Sequence, residues 1–146
     1  MKRCLRVVSL LLVISIFLAA PVRAVEAGQN RASAFFASYG AWLEKVTSNS
    51  FKVIFTVDSN LVTMDVLGVS EIEIYRSADQ SSWTLMRTYN MEDHPYLVDE
   101  NASTYTYYAR YNNATPGYYY CAYVTFYAKN STGIGERYVY TGILHM

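Results

Sequence analysis

Gly117-Tyr118-Tyr119-Tyr120-Cys121-Ala122-Tyr123-Val124-Thr125-Phe126-Tyr127-Ala128 is the stretch whose spacing decides the architecture. Tyr120, Ala122, Val124, Phe126 and Ala128 take every second position, the repeat of a strand with one hidden face; a helical spacing of three and four fits poorly. The even positions therefore face a core. The odd positions then set Tyr119, Tyr123 and Tyr127 in a row on the opposite face. Such a row reads in two ways: as an aromatic stripe that stacks on sugar rings or grips a partner chain, or as ordinary cover for a half-exposed sheet.

The same two-residue rhythm runs outward from this segment. Phe51, Val53, Phe55 and Val57 share a face against Lys52, Thr56 and Asp58, with Ile54 the exception. Ile72 and Ile74 alternate with Glu71, Glu73 and Tyr75, and Trp83, Leu85 and Tyr89 lie opposite Thr84, Met86 and Thr88. The small polar run Ser77-Ala78-Asp79-Gln80-Ser81-Ser82 has the composition of a hairpin loop, and turns are expected at 112–117 and 130–135. Tyr105 and Tyr107 mark a further strand, and a last run spans 136–144. With an opening strand around 38–46 this predicts an all-β fold, a seven-stranded antiparallel β-sandwich. The stretch 58–69 breaks the alternation, and its Leu-Val-x-Met-Asp-Val-Leu segment ending at Gly68 predicts one helical turn capping the core.

Residues 1–27 read as an address. Lys2, Arg3 and Arg6 precede an uncharged, mostly apolar run over 7–20, and small residues before Val25 or before Gly28 suit a cut after 24 or after 27, as in a secretory signal peptide. That run is shorter than the roughly 18–20 residues of a spanning helix, so stable membrane insertion of the mature chain is not expected. The remainder, 28–146, reads as one sandwich domain with eight Lys plus Arg and eleven Asp plus Glu, a net charge near −3. An acidic exported product of this size is no candidate nucleic-acid binder.

Cys4 falls within the signal, so the mature domain keeps Cys121 alone and has no internal disulfide. Cys121 reads as a small strand residue; an intermolecular disulfide and a reactive thiol are the alternatives. Nothing local supplies the base or cation that a thiolate nucleophile needs.

The string Met64-Asp65-Val66-Leu67-Gly68-Val69-Ser70-Glu71-Ile72-Glu73-Ile74-Tyr75-Arg76-Ser77, followed by Ser82-Trp83-Thr84 and by the run from Gly117 to Ala128, resembles a family of small exported proteins of Firmicutes. The resemblance spans roughly 31–144, and more broadly it is similar to fibronectin type III and immunoglobulin-like sandwiches. It implies export and the sandwich fold and carries over no catalytic residue. The bridge of antibody domains is ruled out, since Cys121 has no second cysteine to pair with.

The catalytic inventory is thin. His94 sits in an acidic loop, His145 is penultimate, and the adjacent Glu92, Asp93 and His94 point in different directions, which suits a solvated loop better than zinc. Glu92, Asp93, Asp99, Glu100 and Asn101 offer oxygen ligands for Ca²⁺, but loop acids more often keep a surface soluble. Glu71 and Glu73 share a strand face about 7 Å apart, yet a glycosidase pair needs a cleft rather than an open sheet. No phosphate loop, serine elbow or His-Glu-x-x-His is present. Asn101, Asn113 and Asn130 head Asn-x-Ser/Thr triplets in expected turns, glycan acceptors only in a eukaryotic secretory route.

The expectation is thus a secreted, non-catalytic binding module without cofactor or metal. It would engage a cell-surface glycan or a protein through Tyr119, Tyr123 and Tyr127, as a monomer or with weak self-association. The alternative is a domain that assembles with copies of itself at the envelope.

Overall fold

A computed structural model of the chain describes residues 35–60 and 62–146. The expected signal peptide lies outside them. The described chain forms nine strands: β1 (Phe36–Thr47), β2 (Ser50–Ser59), β3 (Met64–Ser77), β4 (Thr84–Asn90), β5 (Val98–Ala102), β6 (Thr104–Tyr111), β7 (Tyr119–Asn130), β8 (Gly133–Tyr140) and β9 (Leu144–His145), with a 3-10 turn at Pro95–Leu97 before β5. Every pairing is antiparallel. One sheet runs β1-β2-β6; the other runs β4-β3-β7-β8, with β5 on the early part of β3 and β9 on the start of β7. The two pack face to face as a β-sandwich.

The alternation places the core where the sequence rhythm puts it. Phe51, Val53, Phe55 and Val57 of β2 are fully buried, as are Ile72 and Ile74 of β3 and Tyr120, Ala122, Val124, Phe126 and Ala128 of β7. Rings interlock between the sheets: Phe51 meets Tyr120 at 5.2 Å, and Tyr39 meets Phe126 at 5.2 Å. Each large apolar side chain so buried contributes roughly 1.5–3 kcal/mol. With Cys121 unbridged, that burial is the source of stability rather than a covalent staple.

Three expectations are corrected. The helical cap over 58–69 does not form: residues 64–68 are strand, paired on one side with β5 and on the other with β7. Ser70 is an extra residue between the pairs Val69–Phe126 and Glu71–Thr125, a β-bulge whose carbonyl accepts from the Met91 N–H at 2.9 Å. The bulge turns Leu67 and Val69 inward on one parity and Ile72 and Ile74 inward on the other, so one continuous strand looks like two unlike segments. Gly68 permits this, because a Cβ there would stand 2.3 Å from the Leu97 carbonyl oxygen and 2.7 Å from the Val98 Cα.

The expected parity of β4 fails for the same reason. Met86 is the extra residue opposite the Ile74–Tyr75 step; it leans on the core, Leu85 is 48% exposed, and only Tyr89 keeps its inward place. The count of seven strands becomes nine. The acidic segment of β5 pairs as an edge strand, and the last run divides into β8 and β9 at Thr141. There the Thr141 hydroxyl accepts from the Ala122 N–H while the Thr141 N–H donates to the Ala122 carbonyl, both at 2.9 Å.

Candidate functional site

The outer face of the larger sheet carries the odd positions of β7, and the strand registers say what stands beside each. Tyr123 lies between Glu73 of β3 and Tyr140 of β8; Thr125 lies between Glu71 and Tyr138; Cys121 lies beside Tyr75. Along β7 the outward side chains alternate large and small, Tyr119-Cys121-Tyr123-Thr125-Tyr127, because strand periodicity brings every second residue to one face.

The rings converge on Tyr123. It meets Tyr138 at 5.4 Å and Tyr140 at 4.8 Å, tilted 33° and 53°, while Tyr138 and Tyr140 are each 64% exposed. Tyr138 and Tyr140 are two positions apart on β8, about 7 Å along the strand, and so share its outward face beside Tyr123. Across β7 the Tyr75 hydroxyl donates to Glu73 Oε2 at 2.8 Å. That bond, then burial and the carboxylate's charge, pushes the Tyr75 phenol up to about 12. The Tyr123 phenol is also raised, by burial first and then by Tyr140, Tyr138, Glu73 and Glu71. At neutral pH these hydroxyls are neutral donors beside fixed carboxylates.

The expected stripe of Tyr119, Tyr123 and Tyr127 is therefore only partly one site. Four residues along a strand is roughly 13 Å, too far for one small group to touch two of the three. Tyr119 stacks instead on His145 at 4.6 Å, and Tyr127 lies between Gly68 and Glu136 in register. Tyr123 is the member brought into a cluster, by Tyr138 and Tyr140, which the sequence reading left out. Their signal was present, since Tyr138 and Tyr140 alternate with Val139, but which strand would adjoin β7 was not legible.

The remaining candidates have structural partners. Burial pushes the Cys121 thiol up to about 11, which suits a small strand residue and opposes a nucleophile. His94 is half-buried between the rings of Tyr89 at 5.1 Å and Tyr96 at 5.5 Å rather than solvated. Asp93 accepts from the Asn90 side-chain amide, and Asp99 accepts the Glu100 N–H. Among the described residues no three His, Cys, Asp or Glu side chains gather as metal ligands would. Asn101, expected in a turn, lies in β5 with φ 52°.

Two other aromatic groups lie on the smaller sheet, away from this face. Tyr105, Tyr107 and Tyr108 stack nearly parallel, at 6.0 and 5.2 Å, along β6, whose far edge is unpaired, and Lys52 Nζ sits 4.3 Å from the Tyr108 centroid. This arrangement shields an exposed strand edge. On the outer face of the smaller sheet, Trp42, Ile54 and Tyr108 form one cross-strand row, with Trp42 45% exposed.

Among the described residues no helix is long and apolar enough to cross a membrane. No protein-family model matches the chain, and no curated protein matches it.

Proposed function

We propose that the protein is an exported, non-catalytic binding module of the fibronectin type III or immunoglobulin-like kind, acting without a cofactor, whose larger sheet grips a polymer of the cell envelope. The carrying observation is the group of Tyr123, Tyr138 and Tyr140, two of whose rings remain 64% exposed on an open face. A contiguous exposed aromatic patch is the kind of surface that serves as a contact site. Strands one, two and six facing strands four, three, seven and eight favour the fibronectin-like reading, as does a buried tyrosine hydroxyl hydrogen-bonded to the turn before β7. The basic and apolar start of the chain supports export, as does the resemblance to small secreted Firmicutes proteins.

Sedimentation of the protein with insoluble envelope polysaccharides tests this reading. Binding should fall at least tenfold in the Tyr123→Ala/Tyr138→Ala/Tyr140→Ala variant and persist in Tyr119→Ala and Tyr127→Ala, with circular dichroism unchanged. Equal binding by all of them would refute it.

The row Trp42–Ile54–Tyr108 favours a second reading, self-assembly through the opposite face. Light scattering that rises with concentration, ignores added sugars and disappears in Trp42→Ala would select it.

A further inference from the structure

The geometry points to a cationic ligand at the Tyr123 cluster: a polysaccharide whose sugars carry free amino groups. The inference rests on the polymer-binding reading and names the chemistry that the face selects.

Tyr138 and Tyr140 are exposed on the outward face of β8, and the Tyr123 ring lies against both. The Tyr123 ring lies 5.4 Å from Tyr138 and 4.8 Å from Tyr140, and clustered tyrosine rings offer the negative π faces that attract an ammonium group. Charge points the same way. Glu71 and Glu73 occupy the outward positions of β3 in the rows that contain Thr125 and Tyr123, and Glu136 adjoins Tyr127. Among the described residues the rows of Thr125 and Tyr123 place no Lys or Arg outward, whereas Lys129, two positions beyond Tyr127 on the same face, offsets Glu136, so the uncompensated charge is that of Glu71 and Glu73. The nearby guanidiniums are engaged elsewhere: Arg76 over the Tyr118 ring, Arg87 over Tyr89, and Arg137 donating to the Glu136 carbonyl. The Tyr75 hydroxyl fixes Glu73 through Oε2 and leaves its other oxygen to accept from a ligand.

A polysaccharide fits better than a buried side-chain plug because the rings of Tyr138 and Tyr140 are exposed on an open face, and because the outward positions between the tyrosines of β7 are the smaller Cys121 and Thr125. In the bound state an amino group would sit among Tyr123, Tyr138 and Tyr140, its charge balanced by Glu71 and Glu73. The ring-to-ring contact would come from the sugar faces.

Calorimetric titration of the full protein with length-matched oligomers of β-linked glucosamine and of N-acetylglucosamine tests this. The amine-bearing oligomer should bind about tenfold or more tightly, and added salt should weaken it selectively. Glu71→Gln/Glu73→Gln should erase the preference while retaining the melting temperature. Equal affinity for the two oligomers, or a preference that survives the Gln substitutions, overturns the amine assignment and leaves polymer binding standing. Failure of both oligomers overturns both readings, and binding of a lysine-rich peptide in their place assigns the cluster to a protein partner instead.

Discussion

The Tyr120 hydroxyl accepts a hydrogen bond from the backbone N–H of Thr115, five residues earlier, at 2.8 Å, and the Tyr120 ring is wholly buried against Phe51 and Tyr111. One side chain thus joins the core to the turn that leads into β7. Tyr120→Phe keeps the ring and removes the acceptor, so it should cost about 1–2 kcal/mol in urea denaturation. Ligand binding at Tyr123, on the opposite face of the strand, should not change.

Gly68 and Gly40 make a matched pair. An alanine methyl at Gly68 would collide with the Leu97 carbonyl and the Val98 backbone, whereas one at Gly40 meets nothing within 4 Å. Gly68→Ala should destabilise by roughly 2 kcal/mol or more and free β5 from β3, which amide exchange at Val98 and Glu100 would reveal. Gly40→Ala should be neutral or slightly stabilising. Similar melting temperatures for the two variants would contradict the close approach.

Asp58 joins the two outer strands of the smaller sheet: its carboxylate accepts from Ser38 of β1 and from Thr104 of β6 at 2.7 Å. These bonds, that from Ser38 foremost, hold its pKa below the ordinary 3.8. A carboxylate with a depressed folded pKa stabilises fully above its unfolded value and loses that contribution as pH falls through the folded one. Asp58→Asn should therefore cost about 0.5–1 kcal/mol near neutrality, a modest amount because the group is largely solvated. The gap from the wild type should close on acidification below pH 3.8. A constant gap across that range would show the charge to be irrelevant.

Cys121 should be slow to alkylate. With its thiol raised to about 11, labelling at neutral to mildly alkaline pH should run on the order of a hundredfold slower than that of a free cysteine. Rapid labelling would restore the reactive-thiol alternative, and a disulfide-linked dimer on a non-reducing gel the intermolecular one.

Much of the fold was legible because strand burial has a period of two. The inward residues of β2 and β7 were readable one by one, from Phe51 to Val57 and from Tyr120 to Ala128. What escaped were the departures from that period. Ser70 and Met86 each insert one residue into a strand and reverse its parity, and nothing in a serine or a methionine announces a bulge. β5, rich in Asp and Glu, is a strand through its backbone pairing with β3 rather than through any apolar face.

The candidate site divides along the same line. The outward placing of Tyr123 follows from sequence alone, since the chain obliges the neighbours of Val124 and Ala122 to face away from the core. That Tyr138 and Tyr140 should flank it, with Glu71 and Glu73 across the strand, depends on β8 and β3 taking the two sides of β7 in one register. Local periodicity fixes which face a side chain takes. Which residues become its neighbours is set by long-range pairing between strands, and that pairing answers to the packing of the whole core rather than to any single segment.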